Sequence, residues 1–104
     1  MIKRKYGNVR VTVDGHNFDS KREARRYGEL KLLQKAGKIS ALEVHPRYDI
    51  HVNDEKVCAY VADFAYKTFD GKVVEDVKGV RTAIYRLKKK LMFAVHGIAI
   101  AEVK

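Results

Sequence analysis

One carboxylate interrupts an otherwise apolar run, Tyr60-Val61-Ala62-Asp63-Phe64-Ala65-Tyr66. Burying an unpartnered carboxylate is costly, so an acid in this setting implies a partner or a cation. A second run follows, Val73-Val74-Glu75-Asp76-Val77-Lys78. Side chains alternate along a strand, so Asp76 and Lys78 share one face, and Glu75 shares the other with Val73 and Val77. Two such strands, joined through the Asp70-Gly71 turn, would bring Asp63 and Asp76 to one place. The chain is therefore expected to build a sheet with a charged spot in it. Oxygen ligands favour a hard ion, so Asp63 and Asp76 read as ligands for Mg2+, with Mn2+ as a substitute. Lys78 would stand beside that ion.

The flanking segments supply the rest of an α+β chain. Asn8 to Val13 alternates as a strand, with Val9, Val11 and Val13 on one face, and Asp14-Gly15 turns it into a short arm at His16-Asn17-Phe18. Ser20 and Glu23 have capping-box spacing, opening a helix with Ala24, Tyr27, Leu30 and Leu33 on its apolar stripe. Gly37 ends it. Gly28 inside it costs about 1 kcal/mol against Ala, which points to close packing there. Strands are expected over 39–44, 48–52, 57–66 and 72–78. Thr82 caps a second helix running to about His96, with Ile84, Leu87, Leu91 and Val95 as its apolar face. Gly97 stops it, and 98–103 forms a last, buried strand. The whole reads as a single domain over 1–104, with 1–18 as an N-terminal arm or hairpin.

Composition narrows the partner. The 104 residues carry a formal charge of +9 and a pI near 9.7. Residues 1–47 hold twelve Lys/Arg against five Asp/Glu. Such a balance points to a polyanion, most simply nucleic acid. Cys58 is alone, which excludes a disulfide scaffold and fits a reducing, cytoplasmic setting. His16, His45, His51 and His96 show no metal-ligand spacing and read as ordinary loop or strand residues. No stretch approaches the ~20 apolar residues of a membrane span.

An acid on an early helix, then Asp, then a spaced acid-x-Lys resembles the PD-(D/E)XK nuclease superfamily. The matching residues are Glu23, Asp63 and Asp76-Val77-Lys78. Small phage-type proteins with Asp-Phe and Val-Lys-Gly signatures, and phage junction-resolving endonucleases, share this arrangement. The residue before Asp63 is Ala62 and not the Pro of the motif, a Pro that is often missing in the superfamily. The resemblance implies a restriction-endonuclease-like core with a mixed sheet. It also implies a Mg2+-dependent endonuclease, with Asp63, Asp76 and the Val77 carbonyl as metal ligands. Lys78 would position the water, and Glu23 would help metal or water. A domain this small has little room to read bases, so branched or junction DNA is the expected substrate. A homodimer follows from the resemblance alone.

Basic residues cluster around this set. Arg22, Arg25 and Arg26 flank Glu23. Arg81, Tyr85, Arg86, Lys88 and Lys89 lie at or along the second helix, which suits a phosphate track. Lys3-Arg4-Lys5 suits an arm over a groove. The rival reading is a non-catalytic nucleic-acid-binding module, or an interaction subunit of a phage recombination or packaging complex, with the same fold.

Overall fold

The computed structural model describes residues 9–77 and 81–104. The Lys3-Arg4-Lys5 arm and Lys78 lie outside the described residues. Among those described, the chain is α+β, with two helices and eight strands. Strands β1 (Val11–Val13) and β2 (His16–Phe18) form the expected hairpin. Asp14 and Gly15 both have positive φ, 52° and 79°, as a tight two-residue hairpin turn requires. Helix α1 (Lys21–Lys35) starts where Ser20 Oγ accepts the Glu23 N–H at 3.2 Å. It stops just before Gly37, at φ 79°.

The middle of the chain forms β3 (Ser40–Val44), β4 (Arg47–Val52), β5 (Glu55–Val61), β6 (Phe64–Thr68) and β7 (Gly71–Val77). Helix α2 (Ala83–His96) and β8 (Ala101–Val103) follow. One sheet has the order β3-β6-β7-β8, antiparallel except for the parallel β7–β8 pair. Strands β4 and β5 make a separate antiparallel arm.

The strand expected over 57–66 is two strands. β5 ends at Val61, and β6 begins at Phe64. The partner ribbon breaks at the same level, at His45-Pro46. Across the break, the His45 N–H donates to the Asp63 carbonyl at 2.9 Å, and the Ala62 N–H donates to the Pro46 carbonyl at 3.0 Å. The ladder therefore turns a corner without losing its backbone bonds. Asp63 sits on that corner rather than inside a straight strand.

The main sheet has an apolar cluster on each face. Phe64, Tyr66 and Val77 join Phe18, Tyr27, Leu30 and Ile39 on the α1 side. Ala65 and Val74 join Ile50, Tyr60, Tyr85, Met92 and Ile100 on the α2 side. Strand alternation thus puts Glu75 toward α1 and Asp76 toward α2, as the parity of the sequence requires.

Three more expectations are corrected. The last strand covers Ala101–Val103 rather than 98–103, and it lies at the sheet's edge with exposed or half-buried residues rather than buried ones. Helix α2 buries Tyr85 and Met92, not the Ile84-Leu87-Leu91-Val95 stripe. Ile84 and Leu87 are 62% and 54% exposed, and only Leu91 packs against the core. The sheet selects the stripe that carries a large aromatic and a flexible Met, both able to fill the space over Ala62 and Ala65. Gly28 meets no neighbour: a Cβ built there finds nothing within 4 Å. No helix among the described residues is long and apolar enough to cross a membrane.

Open space at Gly28 turns an expected packing device into a plain weakness of α1. Gly28→Ala is expected to raise stability by about 0.5–1 kcal/mol, read as a higher urea midpoint at unchanged m-value. A lower midpoint would mean that the helix needs glycine there.

Candidate metal centre

Three side chains from separate elements converge at the corner of the sheet. Glu23 comes from the first turn of α1, His45 from the β3–β4 break, and Asp63 from the β5–β6 break. One ligand atom from each lies within 4.8 Å of the other two. Bonds of ~2.0–2.2 Å to one ion would place its ligands about 3–4.4 Å apart, so a small contraction closes the set. Glu23 and Asp63 are half-buried and His45 is exposed.

Each member is held locally. The Glu23 carboxylate accepts the Asp19 N–H at 3.2 Å while the Glu23 N–H is capped by Ser20. Capping and metal binding are compatible, because a carboxylate offers two oxygens and about four lone-pair sites. His45 adopts φ 54°, in the left-handed region, and its ring lies 5.7 Å from that of Phe18. Asp63 is fixed from two sides. Its Oδ2 accepts the Val77 N–H at 2.7 Å, and its own N–H donates to Asp76 Oδ1 at 2.8 Å.

The site residues expected from sequence are thus distributed as follows. Glu23 and Asp63 come together as read. Asp76 lies beside Asp63 but is not one of the three gathered ligands. It is 1% exposed on the α2 side, and Oδ1 braces the Asp63 backbone. Val77 reaches the site through its N–H. Lys78 is outside the described residues. His45, read as an ordinary loop or strand residue, is the third member. Its one signal in the sequence was a histidine directly before the chain's single proline, at the end of a strand.

Of the basic residues, Arg26 is turned inward. Its guanidinium forks onto the buried Glu75 at 2.7 and 3.1 Å and also reaches Glu29 at 3.1 Å. Tyr66 donates to the same Glu75 carboxylate at 2.7 Å. The bond to Glu75 raises the Arg26 pKa further, and burial, then Glu75, pushes the Tyr66 phenol up to about 12. Arg26 is therefore a clamp between α1 and β7, one helical turn from Glu23, and not an open phosphate contact. Arg22 and Arg25 are exposed.

On the other face, Tyr85 is buried and donates to Glu102 at 2.8 Å. Arg81 and Lys89 also pair with Glu102, the latter at 3.1 Å. Arg81 first, then Tyr85 and Lys89, hold the Glu102 carboxyl down at about 2. A depressed carboxylate stabilises the fold above its ordinary range and loses that contribution as pH falls toward the folded value. This cluster therefore stays charged in all but strong acid. Arg86 is exposed and Lys88 half-buried.

The family described as "Protein of unknown function (DUF1064)" matches residues 3–102. The chain belongs to the DUF1064 family. No curated protein and no solved structure matches it. In this DUF1064 chain the matched stretch spans the corner, both helices and nearly all of β8.

Removing Arg26 leaves the buried Glu75 carboxylate with only the Tyr66 hydroxyl, and removing Glu75 leaves the partly buried Arg26 with only Glu29. Glu75→Met and Arg26→Met are each expected to cost about 3–5 kcal/mol, and the Arg26→Met/Glu75→Met double variant less than their sum. Denaturant titration of the three variants measures this. Additive losses would show that the two groups act independently.

Proposed function

We propose that this chain is a divalent-metal-dependent endonuclease of PD-(D/E)XK type, acting on DNA, with branched or junction DNA as the preferred form. The observation that carries the reading is the convergence of Glu23, His45 and Asp63 at one corner, on a chain of charge +9. Two carboxylates and an imidazole are a donor set that suits a divalent ion such as Mg2+ or Mn2+. Such an ion, when bound, supplies charge neutralisation for a phosphoryl group under attack.

The chain's own residues supply position. Val77 orients the Asp63 carboxylate, and Asp76 fixes the backbone that carries it. The α1 cap fixes Glu23, and the Arg26–Glu75 clamp holds α1 against β7. Lys78, next after Val77, is assigned to the attacking water. The exposed Arg22 and Arg25 hold the DNA backbone near Glu23. His45 tilts ion preference from Mg2+ toward Mn2+, because imidazole suits later first-row metals better than Mg2+. Action in the cytoplasm, the host's if the chain is phage-encoded, accords with the lone Cys58.

The test is incubation of the protein with an end-labelled four-way junction, a duplex and a single strand, in Mg2+, Mn2+ or EDTA. Cutting is expected with either ion, faster with Mn2+, and none in EDTA. Asp63→Asn is expected to lower the rate by roughly a hundredfold or more, whereas His45→Gln should mainly remove the Mn2+ advantage. Asp76→Asn keeps an oxygen for the Asp63 N–H and should be milder than Asp63→Asn. Equal losses would make Asp76 a ligand. Binding of all three DNAs without cutting under any ion would replace the enzyme with a binding module.

A further inference from the structure

Helix α2 presents a third face that neither core cluster uses. Arg86, Lys89, Lys90 and Phe93 follow the i, i+3, i+4, i+7 spacing of one helical stripe. They look across a groove of about 680 Å³ toward β8, with Ala94, Ala99 and Ile100 as its apolar floor. Arg81 and Glu102 close one end. Phe93 is 59% exposed, an aromatic ring left open among cations. Glu102 engages Arg81 and Lys89, while Arg86 and Lys90 have no ion-pair partner among the described residues.

This combination has a specific chemical meaning. Unengaged cations flanking the groove attract a polyanion. An exposed ring between them offers a stacking surface that no phosphate needs. In duplex DNA the base faces are covered by their neighbours, and reaching them costs unstacking of a step, so a ring of this kind stacks most readily on an unpaired base. The apolar floor likewise suits bases rather than backbone.

We propose that the α2–β8 groove binds a single-stranded segment of nucleic acid, with a base stacked on Phe93 and the adjoining phosphates on Arg86 and Lys90. The inference rests on the reading above for the nature of the polymer, and it names the unpaired part of the substrate that the groove takes. It does not need the metal corner, so binding is measured in EDTA.

The chain contains no tryptophan, so Phe93→Trp creates a single reporter at the groove. Labelled oligo-dT, oligo-rU and a duplex of equal length are titrated by anisotropy against the wild type, Phe93→Ala, Phe93→Trp and Arg86→Gln/Lys90→Gln. Both single strands should bind more tightly than the duplex; a preference between dT and rU identifies the sugar. Phe93→Ala should weaken single-strand binding roughly tenfold. Phe93→Trp should retain it, with indole fluorescence quenched on addition of the oligonucleotide. The double glutamine variant should flatten the plot of log affinity against log salt by about 0.7 per lost contact.

Single-strand affinity unchanged in Phe93→Ala, or indole fluorescence of the Phe93→Trp variant left unquenched at saturation, would overturn the proposal. So would capture of the protein by phosphatidylserine vesicles with no measurable oligonucleotide binding. Asp63→Asn, assayed alongside, should bind the single strand like the wild type. Loss of cutting with retained binding would then concern the metal corner, and loss of stacking with retained cutting would concern the groove.

Discussion

Two hydrogen bonds run in opposite directions between Asp63 and the end of β7, and the architecture of the site depends on them. Val77 donates to the Asp63 side chain, and Asp63 donates to the Asp76 side chain. Charge-assisted bonds of this length are stronger than neutral ones. They hold the corner of the β5–β6 ribbon against the neighbouring strand where regular pairing has stopped. Through the Asp63 carbonyl, the corner also fixes His45. The side chain of Asp63 can face a ligand only because its backbone is anchored by a second carboxylate. The Arg26–Glu75 fork does the corresponding work for α1, placing Glu23 by a bond made one turn further along the helix.

Much of this was legible in the chain. Caps and turns are local, and Ser20, Thr82 and Asp14-Gly15 behave as their side chains dictate. Strand parity is equally local and places Glu75 and Asp76 on opposite faces. Decisions that need two distant segments were not legible. The run from Val57 to Tyr66 is uniformly apolar around Asp63, and only the matching break at His45-Pro46 makes it bend. Helix α2 carries two stripes able to enter a core, and the sheet takes the one with Tyr85 and Met92. His45 has an ordinary context in sequence, and its place in the site comes from a corner that no short window contains. Gly28 resembled a packing device because glycine in a helix usually has a reason; here the structure supplies none.

The two faces of the sheet divide the work of the charged residues. On the α1 side, acids and Arg26 are buried in mutual bonds, and the remaining arginines stand outside near Glu23. On the α2 side, Glu102 gathers Arg81, Tyr85 and Lys89 into one cluster at the end of the groove. Net positive charge is therefore not spread as a uniform coat. Part of it is internal structure, part is displayed beside the corner and along α2, and other exposed cations lie on the outer end of α1 and on the β4–β5 arm.

Strand β8 follows every other element described, and it pairs in parallel with β7 across the whole length of α2. Parallel pairing of this kind requires closing a long loop before any ladder bond forms, which makes it a slow step. One wall of the groove and the acid that organises Arg81 and Lys89 both belong to that late segment. The groove therefore exists only once this long-range parallel pairing of the sheet has closed, whereas the corner is built from strand contacts made closer together along the chain.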